Sequence, residues 1–205
     1  MVCRICKSDS LKETFIAREM LEGSRDAFEY FICAECGTVQ ISSLLSDMSK
    51  YYNETYYSLG NKIAKNKNYL VKQRDKTALL NRPTGIGNLL NYFYPLYHEH
   101  QIVGKLLKPD SRLLDIGCGN GDFIRLLYSY GLRNLTGIEP YINKSTVIGN
   151  GCEIIKAELD SLEGKFDIVR IHHVLEHVVN PERTLEKIYN LLDRGGQGCI
   201  NHSDC

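Results

Sequence analysis

A short glycine-rich segment constrains the fold of this chain more than any other feature. Residues 115–121 read D-I-G-C-G-N-G; two leucines precede them, and the apolar-rich run F-I-R-L-L follows at 123–127. Glycines let the backbone turn sharply and approach a ligand closely, and the first turn of a following helix offers unpaired N–H groups. The segment therefore predicts a buried strand, a ligand-binding loop and a helix within an α/β sheet.

The spacing of these glycines differs from that of dinucleotide-binding loops, which read G-x-G-x-x-G or end in Ala. Here the third glycine comes one residue early, and Asp122 stands where that motif has its small residue. Asp115 would repel a pyrophosphate but can attract the amino group of a cationic ligand. Asp115 and Asp122 therefore argue against an NAD-dependent sugar enzyme.

The segment at 115–121, the cofactor loop, resembles that of the class I S-adenosylmethionine-dependent methyltransferases. Their cofactor carries an amino acid moiety and a sulfonium but no phosphate. The resemblance implies a Rossmann-like α/β sheet with S-adenosylmethionine at the carboxyl ends of its strands. It also assigns a cofactor-binding role to five residues of the loop, which are Asp115, Gly117, Cys118, Gly119 and Gly121.

The next two predicted strands add further cofactor residues. Residues 135–138 predict a second strand, and Glu139 at its end can accept two hydrogen bonds from ribose hydroxyls. Residues 154–155 predict a third strand. Glu158 and Leu159 follow it and match the family's adenine-contacting position.

The fourth predicted strand, residues 166–171, leads into the candidate catalytic residues. His172 lies at the edge where open α/β sheets bind ligands, so we expect it to contact the cofactor. The H-V-L-E-H stretch that follows matches a version common in the family and places His173, Glu176 and His177 on the expected substrate side. A neutral hydroxyl or an enolisable carbon must lose a proton when it accepts a methyl group, so a base is needed here. The alternative for each residue is a loop or capping role beside the cofactor.

Four of the eight cysteines form a pattern typical of a metal site. Cys3 and Cys6 form one C-x-x-C pair, and Cys33 and Cys36 form another. Two such pairs supply four thiolates for a closed, tetrahedral, structural zinc site. Two redox-type dithiols or unbound thiols are the alternatives. We predict a zinc ribbon over residues 1–45, with a hairpin or loop between the two pairs.

Residues 46–100 predict a tyrosine-rich and basic helical linker or lid. The run Y-Y-N-E-T-Y-Y-S at 51–58 follows neither helix nor strand periodicity. A zinc ribbon, a segment of this kind and a class I methyltransferase domain, in that order, resemble enzymes of sugar and surface-polysaccharide biosynthesis, including sugar C-methyltransferases. The resemblance implies that Tyr56 and Tyr57 bind substrate or form a lid over the cofactor. It also makes Tyr56 a candidate catalytic residue. The alternative is that these rings pack the zinc module against the main domain.

A locally basic patch follows the tyrosines. Its members are Lys62, Lys65, Lys67, Lys72, Arg74 and Lys76, with Asp75 among them. Such a patch can face the phosphate of a nucleotide-linked sugar or a lipid-linked saccharide, or RNA. A solvated helix face is the simpler interpretation, and we favour it.

The last part of the linker predicts another helix, at residues 96–107. Its apolar side is expected to contain Ile102, Val103, Leu106 and Leu107. His98, Glu99 and His100 are expected on an exposed face before the helix.

Residues 101–205 predict the cofactor-binding domain, truncated after its fifth strand. Asn180 predicts a helix start, apolar residues recur at helical spacing as far as Leu192, and the glycines at 195–196 are expected to end the helix. Residues 197–201 then predict the fifth strand, which leaves no room for the family's last two. An exposed edge strand favours association, so a homodimer or another partner that covers it is the alternative to truncation.

Composition limits the partners of this chain. Lys plus Arg and Asp plus Glu are each 25, so a formal net charge of zero indicates neither a nucleic acid nor a membrane. No apolar run reaches the length of a membrane span, and we expect a cytoplasmic location. The combined prediction is a methyltransferase acting on a sugar, a nucleotide-sugar or a polysaccharide precursor. The alternative is a truncated, catalytically weak cofactor-binding or zinc-ribbon interaction module with an RNA or protein partner.

Overall fold

The computed structural model describes residues 1–20, 23–44, 68–96 and 98–201 of the chain. The tyrosine-rich run, with Tyr56 and Tyr57, lies outside the described residues, and so do the first three lysines of the basic patch.

A small antiparallel sheet connects the two cysteine pairs. Its strands are β1 (Leu11–Arg18), β2 (Ala27–Cys33) and β3 (Val39–Ile41), in the order β1-β2-β3. Phe31 and Cys33 of β2 are buried, whereas β1 is mostly exposed. The β1–β2 hairpin accounts for the long separation between the cysteine pairs, where the sequence predicted a hairpin or a loop.

Three helices precede the main sheet. They are α1 (Tyr69–Leu80), α2 (Gly85–Phe93) and α3 (His98–Leu106). The side chains of Asn68 and Thr84 cap α1 and α2 by accepting hydrogen bonds from backbone N–H groups. Leu79 of α1 and Val103 of α3 are buried in the same core cluster as residues of the sheet. The helical part of the chain therefore packs directly on the strands that follow it.

Helix α3 is shorter than the prediction at 96–107 and differs from it on one face. Val103 is buried as predicted, but Ile102 is 41% exposed and does not belong to the core. The three residues at 98–100 form the first turn of the helix and do not precede it.

The main sheet has six strands among the described residues. They are β4 (Leu113–Ile116), β5 (Leu135–Ile138), β6 (Thr146–Gly149), β7 (Cys152–Ile155), β8 (Phe166–His172) and β9 (Leu192–Asn201). Their order is β6-β7-β5-β4-β8-β9, and all neighbouring pairs are parallel except β6 with β7. This arrangement confirms the predicted Rossmann-like α/β class. The antiparallel edge strand β6 was not predicted.

The core lies on both faces of this sheet, because neighbouring residues of a strand point to opposite sides. Leu113 belongs to one buried cluster, with Ile124 of α4 (Asp122–Ser129), whereas Leu114 belongs to the other, with Ile188 of α5 (Pro181–Leu191). Helices on both faces are what a parallel sheet requires. The cofactor loop leaves β4 in the middle of this layered structure.

Helix α5 begins as predicted but ends earlier. Asn180 caps it by accepting a hydrogen bond from the Arg183 N–H at 3.1 Å. The helix ends at Leu191, so the prediction that the glycines at 195–196 end it was wrong. Leu192 instead begins β9.

Strand pairing explains this difference. Leu192 is the register partner of Phe166 in β8, and an irregularity between Phe166 and Ile168 accommodates the glycines before Gln197 pairs with Ile168. Pairing with a buried neighbouring strand therefore overrides the helical spacing of the leucines.

Strand β9 forms one edge of the sheet, and Ile200 on it is 47% exposed. The expectation that a second copy or another partner covers this edge stays a prediction. As far as the described residues extend, none of the helices has the length and apolar character needed to cross a bilayer.

Candidate functional site

A cleft lies at the carboxyl ends of β4, β5 and β8, where the strand order reverses. Its volume is about 1680 Å³, which exceeds the roughly 300 to 1,000 Å³ typical of a site for one small ligand. Ten of the predicted site residues line it, namely Asp115, Gly117, Cys118, Gly119, Glu139, Glu158, Leu159, His172, His173 and His177. Gly121 and Glu176, although described, are not among its lining residues.

The cofactor loop depends on left-handed backbone at its three glycines. The φ angles of Gly117, Gly119 and Gly121 are 69°, 56° and 80°, a region that other residues seldom adopt. A Cβ atom on Gly117 would also collide with Val174, and one on Gly121 would collide with Ile154. Gly121 therefore allows α4 to start close to the sheet, while the other two shape the wall of the cleft.

Asp115 forms a buried ion pair with Arg170, a residue for which the sequence predicted no role in the site. Its Oδ1 atom lies 2.6 Å from Nη1 of Arg170, and the two side chains are 1% and 8% exposed. The guanidinium carbon also lies 4.4 Å from the centre of the Phe123 ring. Burial raises the pKa of Asp115, although the charge and the hydrogen bond of Arg170 oppose that shift. An arginine inside the apolar run F-D-I-V-R-I was the available signal, because buried strands seldom contain an unpaired charge.

Glu139 supports the cofactor loop from the end of β5. Its Oε2 accepts the Gly119 N–H and its Oε1 accepts the Tyr141 N–H, both at 3.2 Å. Burial raises the pKa of Glu139, and these two hydrogen bonds partly offset that effect. Burial, together with the charges of Asp115 and Glu139, raises the pKa of the Cys118 thiol. This shift favours the protonated thiol of Cys118.

These groups fit the cofactor expected from the sequence. Asp115 Oδ2 is buried and has no hydrogen-bond partner within the described ranges, so a ligand ammonium would satisfy it. Each carboxylate oxygen of Glu139 keeps a lone pair for a ribose hydroxyl. Glu158 and Leu159 lie at the start of the 3-10 turn after β7, on another part of the wall, where adenine is expected.

The candidate base residues lie just past β8. His173 has a φ of 53°, its N–H donates to the Asn201 carbonyl at 3.0 Å, and its Nδ1 lies 3.5 Å from Oε1 of Glu176. Leu175–His177 forms a single 3-10 turn. Glu176 therefore contacts the histidine without lining the cleft, which suits a positioning role.

His177 lies on the cleft wall, and its surroundings lower its pKa. Partial removal from water lowers its pKa, Glu176 raises it, and His173 lowers it further. The imidazole is thus held in the neutral form that can accept a proton near pH 7.

Helices α1 and α3 contribute cleft residues that the sequence did not place there. His100 lines the cleft and stacks on Phe123, with 4.7 Å between ring centres, so the expectation that it lies on an exposed face was wrong. Lys72 and Lys76 of the basic patch also line the cleft. They are four residues apart and so share one side of α1.

The four N-terminal cysteines form a second candidate site. All four Sγ atoms lie within 4.8 Å of one another, with 3.6 Å between Cys3 and Cys36 and 3.5 Å between Cys6 and Cys33. Tetrahedral zinc with Zn–S bonds of about 2.3 Å separates its sulfurs by roughly 3.8 Å, so the cluster fits that ion.

Backbone geometry repeats in the two cysteine pairs. Lys7 and Gly37 each follow the second cysteine of a pair with φ angles of 62° and 71°. Gln40, which was not predicted, donates from Nε2 to Sγ of Cys3 at 2.9 Å. Although burial opposes it, hydrogen bonds from the backbone and from Gln40 lower the pKa of Cys3 to about 6. Cys3 therefore favours the thiolate, the form that binds metal.

Comparison with known proteins identifies the family to which this chain is similar. A family model described as a methyltransferase domain matches residues 61–201. Ubiquinone biosynthesis O-methyltransferase of Colwellia psychrerythraea is 35% identical over 98 residues, which cover 42% of this chain and 39% of that protein. Cycloartenol-C-24-methyltransferase 1 of Oryza sativa subsp. japonica is 26% identical over 111 residues, which cover 48% of this chain and 32% of that protein.

Among solved structures, an S-adenosylmethionine-dependent methyltransferase from Mesorhizobium loti is 22% identical, with a TM-score of 0.40. The match covers 49% of this chain and 51% of that one. The chain spans less than half of the length of the two curated relatives named above.

Proposed function

Because this chain belongs to the methyltransferase domain family, we propose that it binds S-adenosylmethionine in the cleft and transfers the methyl group to a small-molecule acceptor. The observation that carries this proposal is the buried, unpartnered Oδ2 of Asp115 beside the left-handed glycines of the cofactor loop. Such an acceptor atom is costly to bury unless a ligand donor satisfies it.

Four of the predicted cofactor residues would each contact a stated part of the ligand. Asp115 would bind the ammonium, Glu139 would bind the ribose hydroxyls, and Glu158 and Leu159 would contact adenine. S-adenosylmethionine supplies an electrophilic methyl group on its sulfonium when bound. The protein contributes mainly by fixing the acceptor in line with that group.

The proton of the acceptor is taken by a histidine at the end of β8. We assign this role to His173, with Glu176 at 3.5 Å orienting the ring and stabilising the imidazolium. His177 is the second candidate, because its lowered pKa keeps it neutral. Tyr56 remains a predicted contributor from the sequence.

For the acceptor, we propose a sugar linked to a nucleotide. Lys72 and Lys76 support this class, because they line the cleft and neither forms an ion pair with another described residue. Two ammonium groups on one helix side suit a pyrophosphate. The curated relatives are named for a sterol and for ubiquinone, so those classes provide the comparison.

We also propose that Cys3, Cys6, Cys33 and Cys36 bind a structural zinc ion. Four sulfur ligands leave no open position, so the ion would stabilise the N-terminal sheet and take no part in methyl transfer. Thiols that must stay reduced to bind zinc are consistent with a cytoplasmic location.

Calorimetric titration with S-adenosylhomocysteine tests the cofactor site. We expect micromolar binding by the wild-type chain and a loss of tenfold or more for Asp115→Asn and Glu139→Gln, from about 1.5 kcal/mol per charged hydrogen bond. Glu153→Gln changes an exposed carboxylate outside the cleft and serves as the control. A folded wild-type protein that does not bind would overturn the proposal.

Methyl transfer to UDP- and dTDP-linked sugars, a soluble quinol and a sterol tests the acceptor class. We expect product with a nucleotide-linked sugar only. The double variant Lys72→Ala/Lys76→Ala should raise KM for that sugar about tenfold, at the lower end of charged hydrogen-bond energies, and leave kcat unchanged. Lys105→Ala/Lys144→Ala removes two exposed lysines outside the cleft as a matched control. Equal turnover of the sterol or the quinol would refute the sugar assignment.

A further inference from the structure

The register of the central strands brings Asp115 and Arg170 together. The two residues are direct partners in the parallel pairing of β4 with β8, so their side chains project from the same face of the sheet. Both residues also line the cleft. The pair is therefore fixed by the backbone at the place where the cofactor loop begins.

Each partner has unused hydrogen-bonding capacity. Asp115 engages Oδ1 only, and its Oδ2 is buried without a partner among the residues that the structure describes. A guanidinium has five N–H donors, and the hydrogen bond of Arg170 to Asp115 is made through Nη1. The remaining donors of Arg170 make no hydrogen bond within the described part of the chain. An acceptor and several donors thus lie side by side on one wall.

The charge of the pair limits what can fill this place. An ionised Asp115 with Arg170 has no net charge, and both side chains are nearly removed from water. A lone ammonium or a lone carboxylate would leave an uncompensated charge in this setting, which is unfavourable. A zwitterionic α-amino acid group leaves the site neutral, because its ammonium meets the carboxylate and its carboxylate meets the guanidinium.

Phe123 restricts the movement of the guanidinium. Arg170 lies over that ring at 4.4 Å, which leaves its edge as the part that can reach a ligand. A planar guanidinium edge binds a carboxylate through two parallel hydrogen bonds. The Arg170 guanidinium is therefore preorganised to bind a carboxylate.

We propose that Arg170 is a specificity-determining residue that binds the carboxylate of the cofactor's amino acid moiety, so that Asp115 and Arg170 together recognise a zwitterion. This inference rests on the proposed function, since it concerns the same cleft and the same cofactor. It adds to that function a reason why the cleft selects a ligand with an intact amino acid group.

Three thioether ligands separate the contributions of the two residues. S-adenosylhomocysteine has both the ammonium and the carboxylate, decarboxylated S-adenosylhomocysteine has the ammonium only, and methylthioadenosine has neither. Calorimetric titration of each ligand is made on the zinc-loaded wild-type chain and on Arg170→Gln. The glutamine variant keeps a polar but shorter side chain and loses the charge and the fork of donors.

We expect Arg170→Gln to weaken S-adenosylhomocysteine about 10- to 100-fold, as for loss of a charged hydrogen bond. Binding of methylthioadenosine should change less than about twofold. The decarboxylated form should bind at least as tightly as before, because its ammonium then compensates the charge of Asp115. Arg112→Gln is the matched control, because Arg112 pairs with Asp167 of the same strand, at 2.8 Å, outside the cleft. That variant should leave all three affinities unchanged.

Other outcomes distinguish the failure of this inference from that of the proposed function. Equal weakening of all three ligands by Arg170→Gln, or of none, would show that Arg170 serves the structure only. If that variant does not fold, the wild-type chain decides, because equal affinity for S-adenosylhomocysteine and its decarboxylated form overturns the role of Arg170. A wild-type chain that binds none of the three contradicts the proposed function itself.

Discussion

At the scale of single residues, the cleft shows how neighbours set the chemistry of a side chain. Glu139 both supports the cofactor loop and keeps acceptor capacity for a ligand, because a carboxylate has more lone pairs than the two N–H groups occupy. Two neighbours shift the pKa of His177 in opposite directions, because Glu176 raises it and His173 lowers it. The acidity of this histidine is therefore a sensitive measure of the local geometry.

Two substitutions should move the pKa of His177 in opposite directions. Glu176→Gln removes a carboxylate that raises it, so the pKa should fall further below 6.5. His173→Gln removes a group that lowers it, so the pKa should rise. NMR titration of the imidazole protons measures both shifts, and shifts of the same sign in the two variants would contradict the geometry.

The sign of the effect on stability follows from the same pKa. Because the folded value lies below the unfolded one, the neutral His177 contributes stability above about pH 6.5. That contribution is lost as the pH falls from there through the folded pKa. Because His177 lies on the cleft wall and is only partly removed from water, this effect is small, and the NMR titration is the decisive measurement.

At the scale of elements, one buried carboxylate connects α1 to the end of α4. Asp75 of α1 is 0% exposed, accepts two hydrogen bonds from Arg74 and accepts one from the Tyr130 hydroxyl at 2.9 Å. Lys72 and Lys76 flank this anchor on α1. The position of Lys72 and Lys76 in the cleft therefore depends on the contact between Asp75 and Tyr130. The pattern of charged residues in the sequence did not predict that contact.

Tyr130→Phe should destabilise the fold, because it removes one hydrogen bond to a buried charge and nothing else. The expected loss is about 1.5 to 3 kcal/mol in the free energy of unfolding, measured by urea denaturation. Tyr189→Phe is the matched control, because that residue is mostly exposed. Equal midpoints for the two variants would mean that Asp75 is satisfied without Tyr130.

At the scale of the whole molecule, the cysteine cluster and the main core are built from separate residues. The described members of both core clusters begin at Ala78, whereas the cysteine cluster ends at Cys36. The N-terminal sheet has little buried apolar surface of its own, and small domains of this kind commonly depend on a metal.

Removal of the zinc ion that we propose should therefore unfold the N-terminal sheet and leave the cleft intact. We expect chelation, or Cys33→Ser, to abolish hydrogen-exchange protection in residues 1–44. Affinity for S-adenosylhomocysteine should stay within about twofold, since no ligand contact is lost. Cys199→Ser, at a cysteine outside the cluster, is the control. Loss of protection throughout residues 98–201 after chelation would show that the two parts are coupled.

The sequence by itself determined the local structures that short-range physics encodes. The cofactor loop, the Asn180 cap and the two C-x-x-C turns follow from glycine conformations, capping and turn geometry, which depend on residues close together in the chain. The parallel strands β4, β5, β7 and β8 were predictable for a similar reason, because each is a short, mostly apolar run with a recognisable end.

Only the tertiary structure decided which distant residues meet. Asp115 and Arg170 are 55 residues apart, and their pairing depends on the register of β4 against β8. The same register of neighbouring strands set the start of β9 at Leu192, and packing brought His100 of α3 onto Phe123. Strand register and helix packing are fixed by burial across the whole core, and no local pattern specifies them.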